Sequence, residues 1–183
     1  MKDSRPYAID DPDGVYFVTF ATVYWIDVFT RKRYKDIVVE SLKFCQEKKG
    51  LDLFAWCLMT NHIHLILRAK EGFNLSDILR DFKKFTASQI IRSMQEDPES
   101  RKEWILWLFE QAAKKNSRNT LHQFWQQDNH PEQIFTEKFG AQKLDYLHNN
   151  PVEEGWVENP WDYLYSSARN YAGEKGLLEV LFL

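Results

Sequence analysis

The 183-residue sequence predicts an α+β fold built around an antiparallel β-hairpin. Runs of β-branched and aromatic residues alternate with segments in which apolar residues recur at helical spacing. Two of the strand-like runs, residues 51–58 and 62–68, are separated only by Met59-Thr60-Asn61, which favours a tight turn between paired strands. A content of 44% hydrophobic and 15% aromatic residues is enough for one domain, spanning residues 1–183, with a core of its own.

The first half of the chain predicts a strand and a helix before the hairpin, and a long helix after it. Residues 15–24 are dense in β-branched and aromatic side chains and predict the first strand. From about residue 35 to 48 apolar residues recur at helical spacing, until Lys48-Lys49-Gly50 ends the helix. Asn74 or Ser76 can cap the long helix. Its predicted apolar stripe consists of Leu75, Ile78, Leu79, Phe82, Phe85, Ile90 and Ile91.

The second half predicts two further helices and an aromatic tail. Asp97-Pro98 breaks the long helix, residues 104–109 begin another apolar helix, and a basic loop follows at 114–119. Residues 123–126 and 133–135 predict a strand or a hairpin, and a helix is expected from about Thr136 to Pro151. The aromatic residues of the tail, 156–183, are expected to pack back on the domain.

The composition also bounds where the protein works. No apolar run approaches the roughly 20 residues of a membrane helix, and the first five residues lack the apolar core of a signal peptide. Cys45 and Cys57 each lie in an apolar pattern, which favours buried thiols over a disulfide or a zinc site. We therefore expect a soluble, cytoplasmic protein that does not associate with membranes.

Positive charge is concentrated in the middle of the chain, although the net charge is −3. Residues 1–67 carry 9 basic and 9 acidic side chains, residues 68–118 carry 11 and 8, and residues 119–183 carry 4 and 10. A phosphate-binding surface is therefore expected to use the middle third, although a solvated helix face explains the pattern equally well. The candidate DNA-binding residues are Arg80, Lys83, Lys84, Arg92, Lys114, Lys115 and Arg118.

His62 and His64 open the second strand of the hairpin and are the first candidate site residues. Side chains two apart on a strand lie on the same side, so the two imidazoles could bind one divalent ion. They are expected to face away from the core, so that alanine at either position would leave the fold nearly intact. The alternative is a pair of partly exposed polar side chains with no ligand.

Tyr146 and Asn150 are the second pair of candidates. They are four residues apart on the last predicted helix and so share one face, where a nucleophile and a metal ligand could lie side by side. The alternative is a half-buried helix tyrosine and a helix-ending asparagine before Pro151.

The two motifs together, Met-Thr-Asn-His-Ile-His-Leu-Ile-Leu at 59–67 and Tyr-Leu-His-Asn-Asn-Pro-Val-Glu-Glu-Gly-Trp-Val at 146–157, resemble a known family. It is the single-tyrosine transposases of the HUH endonuclease superfamily, in the branch associated with repetitive extragenic palindromes (REP). The resemblance implies a ferredoxin-like antiparallel sheet with helices packed on one face. It also implies an enzyme that breaks and rejoins single-stranded or hairpin-flanked DNA. The sequence leaves open whether the chain is a monomer or a homodimer.

The same resemblance assigns roles to the candidate residues. His62 and His64 would be the ligands of a Mg²⁺ or Mn²⁺ ion, and Asn150 the candidate third ligand. Tyr146 would be the nucleophile, which forms a 5′-phosphotyrosine and leaves a free 3′-hydroxyl. His148, two residues from Tyr146, is expected to be structural or to contact DNA.

Two features depart from the family pattern and keep other functions open. The chain is acidic overall, and residues 97–119 look like a helical insertion. One alternative is a catalytically inactive relative that binds structured DNA. The other is a metalloprotein with an unrelated hydrolytic site, although the sequence offers no third histidine or carboxylate at ligand spacing.

Overall fold

The computed structural model describes residues 9–116, 121–127 and 129–183, which form a four-stranded antiparallel sheet with helices packed on it. The strands are β1 (Tyr16–Ala21), β2 (Leu51–Leu58), β3 (His62–Ala69) and β4 (Glu132–Gln133), in the spatial order β2-β3-β1-β4. The helices are α1 (Lys32–Lys48), α2 (Leu75–Glu96), α3 (Lys102–Lys114), α4 (Glu137–Glu153) and α5 (Ala168–Tyr171). This strand order, with α1 and α2 as crossovers, is the ferredoxin-like arrangement, so the predicted fold class is confirmed.

The hairpin that carries the two histidines lies at the centre of the sheet. β3 pairs with β2 on one side and with β1 on the other, and His64 stands opposite Cys57 and Thr19. Ile63 and Leu65, which alternate with the histidines, are fully buried. The strand alternation therefore divides β3 into a core face and a histidine face, as the sequence predicts.

The helices lie on both faces of this sheet. Phe20 of β1 contacts Phe82 of α2, with ring centroids 6.1 Å apart, and α1 packs against α2 on that side. Phe17 lies three residues earlier and so on the opposite face, where its ring is 6.2 Å from that of Tyr146 on α4. The expectation of helices on one face is therefore wrong for α4, which covers the histidine face.

The first strand is shorter than predicted. β1 ends at Ala21 instead of continuing to Tyr24, because Tyr24 and Trp25 both adopt a φ of 55°, which no strand accommodates. A short 3₁₀ turn, Val23–Trp25, replaces the end of the predicted strand. This turn lies beside His62, which pairs with Ala21.

Of the strand or hairpin expected at residues 123–126 and 133–135, the described residues form short strand pairings with β1 and no hairpin. Trp125 pairs with Thr22, and β4 pairs with the start of β1 through Gln133 and Tyr16. Both segments thus occupy the same edge of β1 and cannot pair with each other. α4 also continues beyond the predicted end at Pro151, because a proline in the last turn removes only one helical hydrogen bond.

α2 and α3 differ from the prediction mainly in which aromatic residues they bury. Asn74 caps α2 by accepting a hydrogen bond from the backbone N–H of Asp77 at 3.1 Å. Most of the predicted stripe is buried, but Phe85 is exposed, and so are Trp104 and Trp107 on α3. That residues 97–119 are an insertion stays a prediction.

The tail packs back on the domain as predicted. The backbone N–H of Leu58 on β2 donates to the carbonyl of Tyr165 at 2.9 Å, and Tyr163 and Tyr165 are buried. Cys45 and Cys57 are buried free thiols, also as predicted. Within the described residues, no helix is both long and apolar enough to cross a bilayer.

Candidate active site

The two histidines of β3 converge on the face of the sheet that α4 covers. The ring centroids of His62 and His64 are 4.7 Å apart, and the ring planes are inclined at 71°. His64 is only 4% exposed, whereas His62 is partly exposed. The rings lie on one side, as the alternation predicts, but the expectation that both face solvent is wrong for His64.

Each histidine is held through its Nδ1 atom. The Nδ1 atom of His62 is 2.7 Å from Oδ1 of Asn61, and an amide oxygen can only accept, so Nδ1 carries the proton and Nε2 keeps its lone pair. The Nδ1 atom of His64 is hydrogen-bonded to the hydroxyl of Thr19 at 2.7 Å. Such bonds to the second ring nitrogen are how proteins orient metal-binding histidines.

The Nε2 atom of His64 is buried and has no hydrogen-bond partner among the described residues. A buried polar atom without a partner costs free energy, of the order of 1–3 kcal/mol, and native proteins rarely leave one. The residues present therefore fit a divalent cation, which would satisfy this nitrogen.

The protonation states support the same interpretation. Burial lowers the pKa of His62 to about 4. Burial also lowers the pKa of His64 to about 3, with smaller contributions from the charges of His62 and Lys143. Both imidazoles are therefore neutral near pH 7, which is the form that binds metal ions.

Tyr146 lies against this pair. Its ring centroid is 5.1 Å from that of His64, and the side chain is 46% exposed. Within the described residues, no hydrogen bond is made to its hydroxyl. The helix α4 thus places an accessible phenol beside the two imidazoles.

The other tyrosines that follow the motif have hydroxyls engaged in structural hydrogen bonds. Tyr163 donates to the carbonyl of Leu58 at 2.8 Å, and Tyr171 donates to that of Phe54 at 3.1 Å. Tyr165 donates to the carboxylate of Asp36 at 3.3 Å. Burial also raises the pKa of each of these three phenols.

Asn150 lies one helical turn beyond Tyr146 on the same face of α4 and is buried. Among the described residues its side chain makes no hydrogen bond, and no three His, Cys, Asp or Glu side chains converge on one point there. That Asn150 is the third metal ligand stays a prediction.

Three residues near the site were not predicted from the sequence. Thr19 and Asn61 hold the histidines, and Lys143 lies 4.5 Å from the ring centroid of Phe17, where it pairs with Glu132 at 2.7 Å. Lys143 precedes Tyr146 by three residues, so helical spacing could have identified it. Thr19 follows only from the register of β1 against β3.

His148 is not part of this arrangement. It is buried, its Nε2 is 2.8 Å from the hydroxyl of Ser167, and its ring contacts that of Tyr171. The structure thus places His148 against the tail of the chain, on the other side of α4 from the nucleophile candidate.

The candidate DNA-binding residues that the structure describes lie on α2 and at the end of α3. Arg80 pairs with Asp77 and Asp81, and Arg92 pairs with Glu96. A groove of about 700 Å³ between α2 and residues 121–127 is lined by three of the predicted cations, Lys83, Lys84 and Arg92. Lys114 ends α3, Lys115 lies over the ring of Tyr24, and Arg118 is outside the described residues.

Comparison with known proteins identifies the family. The sequence profile of the IS200-like transposases matches residues 13–111, which is more than half of the chain and includes both histidines. The chain belongs to the IS200-like transposase family. Tyr146 and Asn150 lie beyond the matched residues, so this match does not bear on the roles predicted for them.

Two solved structures are similar to this transposase-family chain, and the first of them supports its fold. A REP-associated tyrosine transposase bound to a REP hairpin is 21% identical, with a TM-score of 0.65, over 100% of this chain and 95% of that one. A candidate transposase from Deinococcus radiodurans R1 is 20% identical, with a TM-score of 0.45, over 81% of this chain and 97% of that one. No curated protein matches the sequence.

Proposed function

We propose that this chain cleaves and rejoins single-stranded DNA beside a hairpin, through a covalent 5′-phosphotyrosine at Tyr146. The observation that carries the proposal is the accessible phenol of Tyr146. Its ring centroid is 5.1 Å from that of His64, an imidazole whose Nε2 has no partner among the described residues. The structural relative bound to a REP hairpin supports hairpin DNA as the substrate.

The family resemblance implies a metal requirement, and the donor set of this chain fits it. His62 and His64 would hold a Mg²⁺ or Mn²⁺ ion through their Nε2 atoms, with the amide oxygen of Asn150 as the third protein ligand. A bound ion of this kind supplies Lewis-acid polarisation of the scissile phosphate. Two neutral nitrogens and an amide leave the positive charge of the ion available for that phosphate.

The residues of the chain account for the bond changes. The phenolic oxygen of Tyr146 attacks phosphorus, a bond from that oxygen to phosphorus forms, and the bond from phosphorus to the 3′-oxygen breaks. The departing 3′-oxygen takes up a proton as the phenol loses one, so the numbers of protons balance. Because the phosphodiester energy stays in the protein-DNA bond, rejoining needs no nucleotide cofactor.

Lys143 has a place in this proposal as a positioning group. Its ammonium lies over Phe17, whose ring also contacts those of His64 and Tyr146. A cation one turn before the phenol on α4 would favour both the phosphate and the phenolate by Coulomb attraction. Its ion pair with Glu132 holds the ammonium on this side of the helix.

The test is a covalent trapping experiment. Labelled hairpin-flanked single strands are incubated with the protein and Mn²⁺, and a denaturing gel reports a protein-DNA adduct. The adduct is expected with the native chain and is expected to vanish with Tyr146→Phe, which removes one oxygen and keeps the ring. Hairpin binding by Tyr146→Phe should persist.

The alternative function is that of a catalytically inactive relative that binds structured DNA. Binding of the hairpin by the native chain, with no adduct in either Mg²⁺ or Mn²⁺, would favour that alternative and overturn the proposed chemistry.

A further inference from the structure

The turn between β1 and α1 exposes two large aromatic side chains in a strained conformation. Tyr24 and Trp25 are 48% and 54% exposed, and both have a φ of 55°. Their neighbours Val23 and Ile26 are buried. The turn is therefore anchored in the core at both ends and presents its aromatic rings to solvent.

Hydrogen bonds fix this conformation. The backbone N–H of Thr22 donates to the carbonyl of Asn61 at 2.9 Å, and the hydroxyl of Thr22 donates to that of Ile26 at 2.8 Å. Bulky residues at positive φ are outliers that persist only where the surroundings determine them, and they concentrate at functional sites. Because the two rings are not buried, packing of the core does not explain them.

One side chain links the turn to the candidate metal ligands. The amide of Asn61 donates from Nδ2 to the carbonyl of Trp25 at 3.3 Å, while its Oδ1 accepts from Nδ1 of His62 at 2.7 Å. The ring of Trp25 also lies edge-on to that of His62, with centroids 5.6 Å apart. The position of the indole and the orientation of the imidazole are thus set together.

The surroundings of the turn match the chemistry of single-stranded nucleic acid. The ammonium of Lys115 lies 5.6 Å from the ring centroid of Tyr24. Exposed aromatic faces beside a cation are the combination that binds single strands, since every base can stack and every phosphate is anionic.

We propose that Tyr24 and Trp25 form a nucleobase-stacking subsite, which holds a base of the DNA strand adjacent to the histidine pair. The inference rests on the proposed function, because it assigns the substrate strand of that reaction to this turn. Trp25 stacks on a base and Lys115 contacts the backbone. The stacked base would fix the strand so that one phosphate lies at His62 and His64.

The test separates stacking from phosphate binding and needs no cleavage. Affinity is measured for a labelled oligothymidylate and for an oligomer of the same length built of abasic residues, which has the same charge but no bases. The native chain is expected to bind the oligothymidylate more tightly, by on the order of tenfold. Trp25→Gly should lose most of this preference and keep its affinity for the abasic strand.

The choice of glycine tests the strain as well. Glycine adopts positive φ without penalty, so Trp25→Gly should melt at the same temperature as the native chain or higher, while base binding falls. Trp25→Phe should retain part of the preference. Trp104→Ala, which removes an indole that is also 54% exposed but lies on α3, is the control and should bind like the native chain.

The outcomes are distinguishable from those of the trapping experiment. Equal affinity of the native chain for both oligomers, or equal weakening of both by Trp25→Gly, would overturn the stacking subsite. A native preference that Trp25→Gly leaves unchanged would overturn it too. None of these binding results decides whether Tyr146 forms the covalent adduct, because the trapping experiment measures adduct formation separately.

Discussion

At the scale of single residues, local strand geometry brings His62 and His64 together, and a helix distant in sequence covers them. Strand alternation places His62 and His64 on one side whatever the rest of the fold does, and the rings are indeed neighbours. The burial of His64 depends on α4, which is distant in sequence. His64 is therefore enclosed by Phe17 and Tyr146, and truncation to alanine would leave a cavity beside them.

The metal site can be tested by ligand-linked stability. Mn²⁺ should raise the melting temperature of the native chain, because an ion that binds only the folded state stabilises it by about 2.7 kcal/mol at a concentration 100 times its dissociation constant. His64→Gln keeps much of the side-chain volume and removes the imidazole. Differential scanning fluorimetry should show no Mn²⁺ response in this variant.

His148→Gln is the matched control, because His148 is also buried but contacts Ser167 instead of the site. It should keep the Mn²⁺ response. A shift in His64→Gln as large as in the native chain would show that the ion binds elsewhere.

At the scale of elements, sequence predicted the long helices and the central hairpin, and failed where tertiary contacts decide. β2 has the bounds that the sequence predicts, and the Asn74 cap of α2 follows from local hydrogen-bonding chemistry. The sequence predicted that β1 continues to residue 24, because strand propensity carries no signal for the positive φ of Tyr24 and Trp25. The sequence leaves the edge segments near Trp125 open between a strand and a hairpin, because local pattern cannot say which strand they join.

The candidate DNA residues of α2 divide into two groups that salt dependence can separate. Lys84 is exposed and lines the groove, whereas Arg80 lies outside that lining and pairs with two aspartates. Each phosphate contact on a single strand contributes about −0.7 to the log-log salt slope. Lys84→Gln should therefore reduce the slope by about 0.7, and Arg80→Gln should change it by much less.

The measurement is the affinity for a labelled single strand over a series of salt concentrations. Combining Lys84→Gln with Lys115→Gln should remove a further contact. A larger change in the salt slope with Arg80→Gln than with Lys84→Gln would place the DNA on the other side of α2.

At the scale of the whole molecule, a buried carboxylate joins the connection between α2 and α3 to the start of α1. The side chain of Glu99 is fully buried and accepts hydrogen bonds from Arg31 at 3.1 Å and from the backbone N–H of Arg101 at 3.2 Å. Burial alone would raise the pKa of Glu99. The two hydrogen bonds and the charges of the arginines outweigh burial and hold its pKa below the usual value.

The pH dependence of stability follows from that direction. A carboxylate with a depressed pKa contributes stability that is present above its unfolded-state pKa of about 4.5 and is lost as the pH falls through the folded-state value. Glu99→Gln should therefore lower the free energy of unfolding at pH 7 by about 3 kcal/mol, since buried ion pairs that lose one partner cost that much.

Urea denaturation at a series of pH values measures this difference. The difference in unfolding free energy between Glu99→Gln and the native chain should shrink between pH 5 and pH 3. The exposed control, Glu96→Gln, should lie within about 0.5 kcal/mol of the native chain at every pH. A difference between Glu99→Gln and the native chain that stays constant with pH would show that the charge of Glu99 is not what stabilises the connection.

The central claim, that Tyr146 is the nucleophile, is tested most directly by mapping the trapped adduct. Cleavage after glutamate yields residues 138–153, in which Tyr146 is the only tyrosine, and residues 159–174, which contain Tyr163, Tyr165 and Tyr171. We expect mass spectrometry to find the nucleotide on the peptide of residues 138–153, and to find none with Tyr146→Phe. A DNA-linked peptide from residues 159–174 or from the segment that contains Tyr24, or undiminished adduct with Tyr146→Phe, would contradict the assignment.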